Sequence, residues 1–461
     1  MARLVIVSNR VPALARGSKA GGLAIALKDA VKPGTLWLGW SGRTAEASSL
    51  EASVTRHDGV DYATIDLSHD AYRNFYVGFA NGTLWPLLHF RPGLMEFRRE
   101  HLEGYRQANE IFAGVLVKLL RPDDLIWVHD YHLIPMASAL RRMGVTNRIG
   151  FFLHIPFVPS SLFAALPHGS ELLWDLCAYD VAGFQTVEHR DDFLDCVRRI
   201  LNIPVNRDEI AAGGGRTLRS IVDPIGIDWR SFQSVAIRSA LSRNGRRLKD
   251  SLAHRKLMIG ADRLDYSKGL PNRFEAFNRL LGRFSEHKSS VNYLQVAAPS
   301  REDVKEYAAL RHVLNRMAGD INGRHGAFDW VPLRYMSQGL ARTTLAGFFR
   351  IAQIGVVTPL RDGMNLVAHE YVAAQDPDDP GVLILSSFAG VACYFRDALI
   401  VNPFDPDEIA EAMHEALIMP LEERKSRHAK LLEQLKELSA EAYARRFLNA
   451  LSGAAPARAA A

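Results

Sequence analysis

The sequence predicts an α/β fold made of two doubly wound domains of about 220 residues each. Two observations carry this. Short apolar runs ending in polar residues recur along the 461-residue chain, and amphipathic stretches separate many of them. Runs that are continuous rather than alternating suit strands buried on both faces. Strands alternating with helices suit parallel sheets. Length agrees, since about 100–200 residues per domain allows two to four domains.

The runs in order are Leu4–Val7, Leu36–Leu38, Leu125–Val128, Ile149–Leu153, Val181–Phe184 and Ile221–Ile227. The second half adds Leu257–Gly260, Tyr293–Ala297, Val331–Leu333, Ile354–Val357, Val382–Leu385 and Leu399–Val401. Helical stretches are Leu94–Leu120, Pro271–Leu281, Arg301–Met317 and Glu408–Leu417. A boundary is expected after Asp228, where a polar helical stretch leads to a fresh strand at Leu257. The division is then 1–228, 229–440, and a C-terminal helix with a frayed tail over 441–461, with a return of that helix to the first domain left open.

Composition narrows the function. Hydrophobic residues are 48% and charged residues 23%, ordinary for a globular protein. No apolar run reaches the roughly 18–20 residues that span a bilayer. Ser8-Asn9-Arg10 interrupts the first run too early for a signal-peptide core. Cys177, Cys196 and Cys393 are too sparse for a disulfide framework or a zinc ligand set, so a reducing cytoplasm is the expected compartment. A net charge of +5 with mixed signs argues against nucleic acid and suits a small anionic substrate.

In open parallel sheets ligands bind beyond the carboxyl ends of the strands. Those ends carry Arg10, then His129-Asp130-Tyr131-His132, then His154, Arg263 with Lys268, Arg301, and Arg361-Asp362-Gly363. Arg and Lys there suit phosphate oxygens, and a cation-lined cleft between two domains is the economical reading. Ala20-Gly21-Gly22-Leu23 fits either a structural turn or a close backbone approach to a phosphate. Asp362-Gly363-Met364-Asn365-Leu366-Val367 follows a strand and opens a helix, so its first-turn N–H groups are expected to be open to an anion, with Glu370 two turns in. Plainer readings stand beside these. Arg263 and Lys268 fit surface charges, Asp265 a turn cap, and His154 a core histidine. Trp40, Tyr76, Trp85 and Tyr266 fit core aromatics. His129 and His132 lack further ligands at metal spacing and fit a structural or acceptor-lining role. No G-x-G-x-x-G, Walker motif or nucleophile elbow is present. A two-carboxylate glycosidase stays open on acid count alone, though the cations favour a diphosphate.

These residues resemble the trehalose-6-phosphate synthases, the retaining glycosyltransferases of family 20. The matching blocks are Val7–Arg10, Ala20–Leu23, Leu38–Gly42, Leu84–Pro86, Trp127–Leu133, Phe152–Phe157, Gly183–Thr186, Asp262–Pro271, Arg361–Val367 with Glu370–Val372, and Leu399–Pro403. The resemblance implies the GT-B architecture, two Rossmann-like domains facing across a cleft that closes. It implies transfer of glucose from a nucleotide-sugar, commonly UDP-glucose, to glucose 6-phosphate, without a metal.

By that resemblance Arg263 and Lys268 clamp the donor diphosphate and Gly22 contacts the same group. Asp362 and the backbone of Gly363, Met364, Asn365, Leu366 and Val367 cradle donor sugar and phosphate. Glu370 takes the ribose, and His154 lies beside the transferred sugar. Arg10, Tyr76, Trp85 and Arg301 form the acceptor-phosphate pocket, with Trp40 and Asp130 on the acceptor side. Asp130, His154, Arg263, Lys268 and Asp362 are the expected catalytic set. Partners are the two substrates and a separate phosphatase downstream, with no nucleic acid or membrane; a homo-oligomer is left open. Osmotic protection is the implied role. Two places depart from the family pattern. Val391–Arg396 stands where small residues and a Glu are usual, and Leu162 where a Glu is common. The rivals are a transferase using another phosphorylated acceptor such as glycerol 3-phosphate, a pseudo-glycosyltransferase, and a non-catalytic sugar-phosphate sensor.

Overall fold

The computed structural model describes residues 2–11, 27, 31–211, 215–300 and 305–453. The chain forms two compact units, Met1–Ile225 with Ala440–Ala461, and Gly226–Ser439.

In the first unit the strands are β1 (Leu4–Arg10), β2 (Leu36–Ala45), β3 (Ser53–His57), β4 (Val60–Ser68), β5 (Leu125–His129), β6 (Ile149–Phe152), β7 (Val181–Phe184), β8 (Val205–Asn206), β9 (Glu209–Ala211) and β10 (Thr217–Val222). Their order is β3-β4-β2-β1-β5-β6-β7-β10-β9-β8. The pairs from β4 through β10 are parallel, and β3 and the β8–β9 ribbon are antiparallel edges. Val5, Ile6 and Val7 of β1 have no exposed surface, as expected for a central strand covered on both faces. Chain order reverses between β1 and β5, which makes that junction a topological switch point.

The second unit holds β11 (Lys256–Arg263), β12 (Val291–Ala298), β13 (Leu333–Met336), β14 (Ile354–Val357), β15 (Val382–Ser386) and β16 (Leu399–Val401). All pair in parallel in the order β13-β12-β11-β14-β15-β16. Counted from β11 this is 3-2-1-4-5-6, the nucleotide-binding order, with its switch point between β11 and β14. Helix Leu270–Arg283 lays Phe274 and Phe277 against Tyr293 of β12 in the core.

Four features differ from expectation. The run Ile221–Ile227 is strand only to Val222, where buried Asp223 and Pro224 follow; proline has no N–H for a ladder. The run at Val331 pairs only from Leu333. The β3–β4 hairpin has mixed polarity, and every β3 residue is exposed, so it left no apolar run. Tyr72–Leu84 forms a wide helix, in which Asn81 Nδ2 donates to Tyr76 O at 2.8 Å. Such wide turns are rare and concentrate at functional sites.

The helix Ala440–Ser452 packs within the first unit. Phe447 stacks on Trp127 with centroids 4.5 Å apart and planes at 9°. It covers Gly150 of β6 and Gly183 of β7, where an added Cβ would come within 2.7 and 2.9 Å of the ring. Bare strand positions there make room for the ring.

Candidate active site

At the first switch point, β1 pairs Ser8 with His129 and Arg10 with Trp40, so register alone gathers these residues. Arg10 is exposed at the strand end. Its guanidinium lies 4.9 Å from the Trp40 ring centroid and reaches Gly42 O at 3.4 Å. Trp40 is buried and fixed by its Nε1 donating to Arg43 O at 2.6 Å. An aromatic array continues from it. Tyr72 and Tyr76 lie 5.4 and 5.8 Å from Trp40, and Tyr76 stacks on His132 at 5.8 Å. Trp85 is buried between His89 and Tyr131, at 4.0 and 5.6 Å.

Asp130 follows β5 with φ 76 and ψ 165. That region is nearly exclusive to glycine and costs a side-chain-bearing residue on the order of 1–3 kcal/mol. Such strain is a pointer to function. Asp130 Oδ1 accepts the backbone N–H of His154 at 3.2 Å, which ties the end of β5 to the segment after β6. The ring of His154 shares a hydrogen bond with that of fully buried His129, Nε2 to Nδ1, at 3.0 Å. Burial pushes the His154 imidazole down to about 3, so it is neutral at physiological pH.

At the second switch point, Arg263 ends β11 and is exposed. Buried Asp265 caps the next turn, accepting from Ser267 N at 3.0 Å and from Tyr307 OH at 3.1 Å. That turn aims Lys268 at Asp362, Nζ to Oδ2 at 2.5 Å. Asn365 Nδ2 donates to the same oxygen at 3.0 Å. Asn365 itself sits at φ 76 and caps helix Leu366–Ala374, its Oδ1 accepting from Val367 N at 3.1 Å and Ala368 N at 3.4 Å. This corrects the expectation that the first-turn N–H groups are all open to an anion, because the cap already engages that of Val367. Gly363 and Met364 are buried in the same turn. Glu370 accepts from Arg342 Nε at 2.7 Å; burial raises its carboxyl pKa, and Arg342 opposes that.

Gly22 and Arg301 lie outside the described residues. Of the two divergent places, the loop at Val391–Arg396 bears on the Asp362–Val367 turn. Gly390 N donates to Asp362 O at 3.2 Å and Val391 N to Met364 O at 3.1 Å. Val391 and Phe395 are fully buried, and these two bonds to the Asp362–Val367 turn come from backbone. Leu162 sits in the short helix Ser160–Phe163.

Sequence reasoning missed Arg273. Its guanidinium is fully buried behind the turn that carries Lys268 and donates to Thr358 Oγ1 at 3.0 Å, Asp262 Oδ2 at 2.6 Å, Gln295 Oε1 at 3.0 Å and Lys268 O at 3.2 Å. One side chain thereby joins the ends of β11 and β14 to the turn carrying Lys268. The available signal was a cation on the apolar stripe Leu270–Phe274–Phe277. Arg342 and Tyr72 were missed as well; each lies in a segment with no strand-end signature.

The model of glycosyltransferase family 20 matches residues 5–453. The chain belongs to glycosyltransferase family 20. Its relatives include a Cronobacter sakazakii trehalose-6-phosphate synthase, 46% identical over 458 residues, covering 99% of this chain and 96% of the other. A Burkholderia xenovorans UDP-forming trehalose-phosphate synthase, solved in complex with glucose-6-phosphate, is 46% identical with a TM-score of 0.95, covering 98% of this chain and 100% of that one. An E. coli structure bound with UDP-2-fluoro glucose is 43% identical with a TM-score of 0.94, covering 99% and 100%. The fold class is accordingly α/β of the GT-B type, two Rossmann-like doubly wound units.

Proposed function

We propose that this family 20 chain is a retaining glucosyltransferase that moves glucose from UDP-glucose to glucose 6-phosphate, giving α,α-trehalose 6-phosphate and UDP. The observation that carries this reading is the Lys268–Asp362 pair at the switch point of a 3-2-1-4-5-6 sheet. Relatives solved with glucose-6-phosphate and with UDP-2-fluoro glucose supply the two ligands.

In this reading Arg263 and Lys268 hold the donor diphosphate. When the bond from C1 to the phosphate oxygen breaks, negative charge develops on the leaving UDP, and these fixed cations stabilise it. Diphosphate entry draws Lys268 from Asp362, whose carboxylate then accepts from a donor-sugar hydroxyl. The turn Gly363–Leu366 brings backbone beside the sugar, and Glu370, held by Arg342, takes the ribose. Arg10 binds the acceptor phosphate, with Trp40, Tyr76 and Trp85 shaping the sugar pocket. The acceptor 1-hydroxyl attacks the same face of C1 from which UDP departs. Its proton passes to the leaving phosphate oxygen, so configuration is retained and no covalent intermediate is needed. Neutral His154 lies beside the transferred sugar as a hydrogen-bonding partner, with Asp130 fixing its backbone. Protein cations do the charge neutralisation that a divalent metal does elsewhere, and the reaction is assigned no metal. A separate phosphatase would release the free disaccharide.

The test is UDP release with glucose 6-phosphate, glucose or glycerol 3-phosphate, each with and without EDTA. Turnover with glucose 6-phosphate alone, unchanged by EDTA, is expected. Arg10→Ala should raise the KM for glucose 6-phosphate well above its effect on UDP-glucose. Equal turnover with glucose, or full inhibition by EDTA, would overturn the reading.

A further inference from the structure

In the second unit a cluster of nitrogen and oxygen donors sits at the end of helix Leu270–Arg283. The single turn Ser285–His287 follows that helix and carries Glu286 and His287. His414 comes from helix Pro406–Ile418. Among the described residues, one ligand atom from each of Glu286, His287 and His414 lies within 4.8 Å of the others. His287 Nε2 is 2.8 Å from His414 Nδ1, and His414 Nδ1 is 3.7 Å from Glu286 Oε1. Donors around a tetrahedral zinc at about 2.0–2.1 Å stand about 3.3–3.4 Å apart, so the two distances bracket the required spacing.

The donors are held in place before any ion arrives. His287 is buried, with 6% of its surface exposed. The His414 ring stacks on Phe284 at 4.0 Å and 9°, which fixes its plane. Glu286 is exposed and can swing in with its charge. Arg279 and Arg283 pair with Asp407, and Arg283 with Glu411, so the same two helices are already pinned beside the cluster. Lys256, a cation whose charge acts on His287, turns its Nζ to Leu417 O at 2.5 Å.

We propose that Glu286, His287 and His414 form a structural site for a divalent cation of the zinc class, with two imidazole nitrogens, one carboxylate oxygen and water as ligands. Binding replaces the shared imidazole hydrogen bond. The ring that now donates carries its proton on its other nitrogen instead, and the two lone pairs turn to the ion. The clip joins positions 127 apart in sequence that only the folded chain brings together, so its binding free energy adds to stability rather than to turnover. Borderline metals with this donor set include zinc, cobalt and nickel.

The test uses the full chain dialysed against EDTA and then titrated with Co(II) or Zn(II). One Co(II) per chain should bind with the visible absorption of a four-coordinate site. Zn(II) at about 100 times its Kd should raise the Tm by about 5–10 °C. The His414→Asn variant should fold, keep transferase turnover, and lose both the Co(II) spectrum and any Zn(II) shift measured from its own metal-free Tm. Glu286→Gln should weaken binding at least tenfold. No spectrum and no shift in the natural chain would overturn the proposal, as would an undiminished response in His414→Asn.

Discussion

Arg273 offers the sharpest test of how the turn carrying Lys268 is built. Arg273→Met keeps the length of the side chain and removes its charge and four donated hydrogen bonds, to Thr358, Asp262, Gln295 and Lys268. The Asp262 side chain, 4% exposed, is left with Gln295 Nε2 at 3.2 Å. Breaking one partner out of a buried ion pair costs about 3–5 kcal/mol, chiefly because the other charge stays buried. For a unit of this size each kcal/mol lowers the Tm by about 2–4 °C, so the second unit should melt about 6–20 °C lower. Calorimetry with and without UDP reads this. The loss of order at Lys268 should also raise the KM for UDP-glucose more than it lowers kcat, while the KM for glucose 6-phosphate holds. Arg273→Lys keeps the charge and should recover part of the stability. A Tm within about 2 °C of the natural chain, with an unchanged KM for UDP-glucose, would refute the argument that Arg273 supports the loop.

Three further outcomes follow from the same geometry. Lys268→Ala should lower kcat/KM for UDP-glucose about 10²–10³-fold, the usual effect of removing one preorganised charge partner, read by UDP release. Stability should fall as pH drops from 7 to 5: unfolded imidazoles near 6.5 take up protons that folded His129 and His154 refuse, because burial holds both below that value. Urea unfolding at the two pH values should show a smaller fall in His154→Asn. Phe447→Ala should destabilise the first unit by about 3–5 kcal/mol in chemical denaturation, since it empties the space over Gly150 and Gly183.

The strands that carry the site were legible because a parallel strand covered on both faces must be a continuous apolar run, and its polar residues collect at its end. Arg10, His129, Asp130 and Arg263 were therefore visible from pattern alone, and the observed register brings Arg10 to Trp40 and Ser8 to His129. Strand order was not visible, because pairing between β11 and β14 depends on contacts nearly a hundred residues apart. The β3–β4 hairpin escaped because its outer strand is exposed on all its residues. The wide helix Tyr72–Leu84 has no sequence period of its own. The Asn365 cap shows a different limit: Asp362-Gly363-Met364-Asn365 signalled a helix start, yet which N–H groups the cap would take depended on Asn365 adopting φ 76. Arg273 was hidden in plain view as a charge among apolar positions of its helix.

The decisive observable is the bond that forms. Purified chain incubated with UDP-glucose labelled with ¹³C at C1 of glucose, together with glucose 6-phosphate, should give one labelled product by NMR, alongside UDP. That product should show two anomeric signals of the α configuration, linked 1,1, with the phosphate retained on one ring. A β-configured labelled carbon, or release of free labelled glucose with no new linkage, would contradict it.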